Sequence, residues 1–297
     1  MNDQAQSLRN IITSREQSSS PDTGDRVAKI ITVSSGKGGV GKSNFTLNFA
    51  LALQSLGKKV LLFDADIGMA NIDVLMGVRA PYSLYHLLKG EKSIREIVDY
   101  GTNGLPFIAG GSGMIDLFTL SESDLSYFTQ QIEEISGEMD YVIFDTGAGL
   151  SKETLKFITA ADECLVVTTP EPTSITDAYA LIKVVSNLDL QEPVTFKLMI
   201  NRVEHEREAK QVAEKISLVA RKFLNLEIPM IGSMSDDPHV VQAVKKQVPF
   251  SIAYPSSAAS RDVHRVASEY IAASSVQDNT TFAGIKGFLH RWLKRTK

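Results

Sequence analysis

Two lysines, Lys37 and Lys42, stand five positions apart in the glycine-rich stretch SSGKGGVGKSN at residues 34–44. Residues 36–43 read G-K-G-G-V-G-K-S, which matches the phosphate-loop pattern in full. Glycines let the backbone turn tightly, so successive amide N–H groups point at phosphate oxygens, and a helix opening there adds partial positive charge. In that chemistry Gly36, Lys37, Gly38, Gly39, Val40 and Gly41 wrap a phosphate chain, and Asn44 completes the cradle. Lys42 reaches the β- and γ-phosphates, and the Ser43 hydroxyl ligates Mg²⁺. The pattern needs only one of its two lysines, so Lys37 is a surplus cation.

Three carboxylates follow apolar runs. LLFDADIGMAN places Asp64 and Asp66 just beyond one run, and DYVIFDTGAGL places Asp145 beyond another, with Gly147 and Gly149 after it. A carboxylate at such a place is the expected outer partner of Mg²⁺, and the glycines permit a segment that senses the γ-phosphate. Of the Asp64 and Asp66 pair, one supports Mg²⁺ and the other orients the attacking water; the assignment adopted is Asp64 to metal and Asp66 to water.

These residues need strands to position them. Residues 28–34, 59–64, 141–145, 164–168, 196–201 and 230–233 are continuous apolar runs of strand length, as expected of strands buried on both faces. Helical spacing lies between them, as in Phe45, Phe49, Ala52 and Leu56, or Val212, Ile216, Val219 and Phe223. Ser121 and Asp124 resemble a capping box opening a helix to about 136. The alternation predicts an α/β fold with a doubly wound, mainly parallel sheet of the P-loop NTPase type, which binds ligands at the carboxyl ends of its strands.

Composition bounds the class. The chain has 297 residues, a net charge of -4 and one cysteine, Cys164. It is long enough for a substantial core, its charge argues against adhesion to nucleic acid, and its thiol count fits a reducing compartment. No run approaches the roughly 18 apolar residues of a spanning helix. A cytoplasmic protein is expected. The histidines His86, His205, His239, His264 and His290 show no metal spacing. The polar stretch at 18–25 reads as a linker, and SSVQDNTT as a second break. The expected division is an N-terminal extension at 1–26, an ATPase body at 27–274, and a linker with a terminal helix at 275–297.

That last segment, FAGIKGFLHRWLKRTK, carries Phe282, Ile285, Phe288, Leu289, Trp292 and Leu293 on one helical face. Lys286, Arg291, Lys294, Arg295 and Lys297 supply charge with no acid among them. Such a helix lies in an anionic membrane interface, and Trp292 reads as exposed. Each basic residue gains at most ~1 kcal/mol there, so one tail binds weakly and two tails on a dimer bind far better.

GKGGVGKS, DADIGMANID and DTGAGL together resemble the deviant Walker A ATPases of the MinD/ParA family across nearly the whole body. The resemblance implies ATP and ADP with Mg²⁺ as ligands, slow hydrolysis, and a homodimer when ATP is bound. It also implies that Lys37 reaches across that dimer to the partner's phosphates. It places Asn201 and Arg202, in LMINRVE, at adenine, with the GSMSDDPHV loop and its Asp237 closing over the base. Ser235 stands where relatives commonly have proline. Asp3, Gln4, Ala5, Leu8 and Arg9 resemble the D-Q-A-x-x-L-R element of the FlhG (FleN or YlxH) flagellar-number regulators within that family. In them it docks on the FlhF-type GTPase and stimulates it, with Gln4 entering the site, Leu8 anchoring and Arg9 pairing with an acid or phosphate. Flagellar C-ring proteins are the other partners implied. Alternatives are a division-site ATPase of MinD type, a DNA-partitioning ATPase of ParA type, which would need a basic body, and an electron-transfer enzyme, for whose cluster one cysteine is too few.

Overall fold

A computed structural model describes residues 27–66, 71–110, 122–190, 192–276 and 284–294. The N-terminal extension and its Asp3, Gln4, Ala5, Leu8 and Arg9 lie outside these residues, as do Phe282 and Arg295. Eight strands form one sheet: β1 (Lys29–Ser34), β2 (Val60–Ala65), β3 (Val98–Tyr100), β4 (Pro106–Ile108), β5 (Tyr141–Thr146), β6 (Glu163–Thr168), β7 (Phe196–Val203) and β8 (Met230–Ser235). Their order is β3-β4-β2-β5-β1-β6-β7-β8, parallel except for β3 against β4. The six apolar runs became the six longer strands. β3 and β4 were not expected, because three residues are too few to show a period.

Residues alternate across this sheet. Ile31 and Val33 of β1 pack beneath α1 (Lys42–Ser55) and α11 (Ala258–Val276), whereas Ile30 faces the other side. Short helices α2 (Ile72–Met76), α3 (Leu84–Leu88) and α4 (Ile94–Ile97) follow β2. The second face is covered by α5 (Glu122–Ser136), α6 (Lys152–Ala160), α7 (Pro172–Ser186) and α8 (Glu206–Leu224). Two more short helices, α9 (Pro238–Lys246) and α10 (Phe250–Ala253), precede α11, which runs past the boundary expected at 274. A parallel sheet must be covered on both faces, since its strands are apolar throughout.

The terminal helix α12 (Gly284–Lys294) departs from expectation. Ile285, Phe288 and Trp292 are buried in the core cluster that contains Ile30, Val142, Phe144 and Phe157. Trp292 is 3% exposed rather than open to solvent. Phe288 stacks on Phe144 at 4.9 Å between centroids, and Trp292 lies 4.4 Å from Phe157. The physical reason is plain: an amphipathic pattern specifies an apolar partner, and a groove over the sheet satisfies it as well as lipid does. No helix among the described residues is long and apolar enough to cross a membrane.

Candidate functional site

The parallel register assembles the site. Asp64 of β2 pairs with Asp145 of β5, and Val33 of β1 with the same Asp145, so two carboxylates sit side by side beneath the loop that leaves β1. That loop turns through Gly39 and Gly41, at φ 81° and 87°, into α1. An added Cβ at Gly38 or Gly39 would meet nothing within 4 Å, so the space above the loop is open to a phosphate chain.

Lys42 is 7% exposed, and its ammonium donates to Asp145 Oδ1 at 2.9 Å and to Ser43 Oγ at 3.3 Å. Thr46, one helical turn on, donates to the same Asp145 oxygen at 2.8 Å. The sequence reading missed Thr46, although its place four residues after Lys42 puts it on the same face of α1. Ser43, Asp145 and Lys42 therefore converge as expected. No group of three or more acidic, histidine or cysteine side chains among the described residues could hold a metal unaided. This donor set fits a Mg²⁺ whose remaining ligands are phosphate oxygens and water, as is usual for that ion.

Asp64 does something else as well. Its Oδ2 accepts from the backbone N–H of Asn71 and Ile72, at 2.8 and 3.0 Å, and its Oδ1 from Asp66 at 3.2 Å. Those bonds tie both Asp66 and the start of α2 to the end of β2. Burial, and then the Asp145 carboxylate, push the Asp64 carboxyl up to about 7 against these donors. Asp66 is half-buried, and its carboxylate lies beside Gly147, within 3.6 Å of where a Cβ there would stand. The segment after β5 is tied to the loop by the Gly149 N–H, which donates to Ser35 O at 2.9 Å.

Lys37 sits at the rim, 30% exposed at its side chain. Its ammonium donates to Glu171 at 2.7 Å and to the Thr173 hydroxyl at 2.9 Å, where α7 begins. Both partners were missed, though Glu171 follows an apolar strand as the other site acids do. Salt bridges this exposed contribute little, so the lysine is held without being locked.

A cavity of about 460 Å³ continues from the loop, lined by Gly41, Asn44, Asn201, Arg202, Ser235 and Asp237 among others. Arg202 takes a left-handed backbone conformation at φ 56°, a sparsely populated region that clusters at ligand sites. Two of the groups expected at adenine also have partners within the protein. Asn201 Nδ2 donates to Val40 O at 2.8 Å and so braces the phosphate loop, while its Oδ1 accepts from the neighbouring Arg202 N–H. Asp237 accepts from the N–H groups of His239 and Ala259, tying α9 to α11. Burial would raise the Asp237 carboxyl, but those N–H groups, the His239 ring and Ser257 hold it down at about 2. Ser235 donates from N and Oγ to Asp262. These bonds hold Asn201, Ser235 and Asp237 in place in the wall of the pocket.

The terminal helix lies away from this cavity. Arg291 donates through Nε to Ala160 O at 2.8 Å and through Nη2 to Asp162 at 2.9 Å. The side chains of Lys286, Leu289, Leu293 and Lys294 lie outside the described ones.

The geometry has relatives. A family model described as ParA, the NUBPL iron-transfer P-loop NTPase, matches residues 26–271. The antiactivator FleN of Pseudomonas aeruginosa is 37% identical over 78% of this chain and 82% of its own. The flagellum site-determining protein YlxH of Helicobacter pylori is 35% identical over 99% of each chain. Among solved structures, MinD in the MinC:MinD cell division complex of Aquifex aeolicus superposes with a TM-score of 0.65 at 29% identity, covering 82% of this chain and 96% of that one. A phosphate loop with two lysines, paired strand-end aspartates and these relatives lead to one conclusion: the chain belongs to the ParA/MinD family of P-loop NTPases.

Proposed function

We propose that this chain is an ATP-hydrolysing switch that pairs with a second copy when ATP is bound, cycles onto the inner face of the cell membrane, and sets flagellar number and placement. The flagellar part is supported by similarity to FleN and YlxH. Its route is the N-terminal motif, with Gln4 stimulating an FlhF-type GTPase, and C-ring proteins as further partners.

The observation that carries the switch is the second lysine, held loosely at the rim on Glu171 and Thr173 while Lys42 is buried inside. In this reading Lys37 leaves Glu171 and neutralises phosphate charge belonging to the other copy, so pairing and ATP occupancy become one equilibrium. Lys42 stays with its own nucleotide. Asp64 would help to hold Mg²⁺ beside Ser43 and Asp145, and Asp66 orients the water. Mg²⁺ held at Ser43 and Asp145 would draw charge from the β/γ-phosphates as the bond breaks. The slow rate of such a switch follows from having positioning groups and no strong general base.

The docked α12 belongs to the single copy. Once released, Ile285, Phe288 and Trp292 enter lipid, beside Phe282, Leu289 and Leu293. Lys286, Arg291, Lys294 and Arg295 then meet anionic headgroups. The test is size-exclusion chromatography with light scattering in saturating ATP, beside co-sedimentation with anionic vesicles. Asp66→Ala is expected to accumulate as a dimer that pellets, and Lys37→Ala to stay monomeric and soluble. A Lys37→Ala protein that still pairs only with ATP would reject the switch.

A further inference from the structure

Arg291 is seated in a site with the character of a phosphate. Its guanidinium reaches Ala160 O, at the carbonyl end of α6, and Asp162 Oδ1, one acid beyond that end. A helix C-terminus carries partial negative charge, and a carboxylate adds a full one. The acid is itself fixed, since Asp162 Oδ2 accepts from the Ile30 N–H at 2.9 Å. Its side chain is 7% exposed, against 23% for Arg291. The outer Glu192 approaches the same guanidinium only to 4.0 Å and is 79% exposed. The fork of an arginine binds carboxylate and phosphate alike, through paired N–H donors.

We propose that Asp162, with the Ala160 carbonyl, is an internal substitute for a lipid phosphate, and that it sets how much anionic lipid the tail must meet before it leaves the body. The lipid half rests on the membrane reading above. The latch itself rests only on the contacts of Arg291. An anionic headgroup offers the guanidinium what Asp162 offers, so the two compete for one cation. Zwitterionic lipid offers a phosphate beside a compensating cation and competes poorly. Nucleotide state need not touch Arg291 for this threshold to act.

The chain contains one tryptophan, and it is Trp292 on the same helix, so its fluorescence reads release directly. The full chain would be compared with Asp162→Asn and Arg291→Lys, in ADP, by emission maximum and acrylamide quenching. Vesicles of stepped phosphatidylglycerol content, zwitterionic vesicles and inorganic phosphate form three further arms. Loss of a charge-assisted hydrogen bond should move the docked-to-released equilibrium by roughly tenfold. Asp162→Asn is therefore expected to expose Trp292 at lower urea than the wild type does, by the same emission and quenching readouts, and to bind vesicles of lower anionic content. Arg291→Lys keeps the charge but lacks the longer planar fork that spans Ala160 O and Asp162, and should loosen the tail too, which guards against a fold defect in Asp162→Asn. Inorganic phosphate and zwitterionic vesicles should leave the wild-type Trp292 shielded.

Exposure of Trp292 at the same urea concentration in the wild type and both variants, with native circular dichroism unchanged, would overturn the latch. So would an identical lipid threshold in wild type and Asp162→Asn when ATP-dependent vesicle binding is intact. Exposure of Trp292 at lower urea in the variants, with no vesicle binding anywhere, would leave the latch standing and reject the membrane reading. Inorganic phosphate releasing the tail as well as anionic vesicles do would overturn the lipid assignment.

Discussion

A carboxamide at the end of a buried strand reads naturally as a base contact, and Asn201 illustrates how a residue can be well placed and differently employed. Its amide spans from Val40 O to the Arg202 N–H, linking positions 161 apart in the chain. That partnership is invisible in sequence, because nothing local to LMINRVE names Val40. Removing the donor leaves a buried carbonyl unsatisfied, at about 1–3 kcal/mol, and loosens the loop that cradles phosphate. Asn201→Ala should thus weaken ATP and GTP together by roughly tenfold, measured by titration calorimetry with both nucleotides. A variant that keeps its ATP affinity but loses its preference over GTP would return Asn201 to the base. The same logic separates the aspartates. Asp145 was legible because it ends an apolar run, whereas its bond from Lys42 and the bonds that Asp64 accepts from Asn71 and Ile72 join residues that no local pattern links.

Between elements, the tightest approach at the site is the phosphate loop against α7. A Cβ at Gly36 would stand 2.2 Å from the Asp177 carbonyl carbon and 2.6 Å from the Ala178 nitrogen, all backbone. Backbone cannot swing aside as a side chain can, so the loop and α7 must separate. Gly36→Ala should cost about 1–3 kcal/mol in urea denaturation and also shift Glu171 and Thr173, the partners of Lys37, which lie at the start of the same helix. Wild-type stability with normal nucleotide binding would show that the contact relaxes freely. The six long strands were legible because burial on both faces writes continuous apolar runs, while β3 and β4, at three residues each, write nothing. α12 was legible as a helix, and three residues read on its apolar face, Ile285, Phe288 and Trp292, are buried together. Its destination was not, because the groove that receives it is built from Phe144 of β5 and Phe157 of α6, far away in sequence.

Across the whole molecule, β5 joins the two ends of the proposed switch. Asp145 meets Lys42 and Thr46 at the nucleotide loop, and the preceding Phe144 points through the sheet to stack on Phe288 of α12. Neighbouring residues of one strand thus touch the nucleotide loop and the tail. The energetics limit what it can do alone. Burying Ile285, Phe288 and Trp292 is worth about 1.5–3 kcal/mol each, roughly 5–9 kcal/mol together as an upper estimate. That is comparable with the whole stability of an ordinary domain, about 5–15 kcal/mol. Nucleotide at a hundredfold excess over its Kd supplies only about 2.7 kcal/mol through linkage. ATP by itself should accordingly leave Trp292 shielded, and only ATP together with anionic vesicles, which re-bury the same three side chains, should shift its emission. Truncation after Thr281 gives the complementary measurement: without α12 the groove over β1 and β5 faces water, and the melting temperature should fall by on the order of 10 °C. A truncated chain that melts with the full one would mean that α12 contributes nothing to the core. In that case ATP alone could free the tail, and the requirement for lipid would vanish.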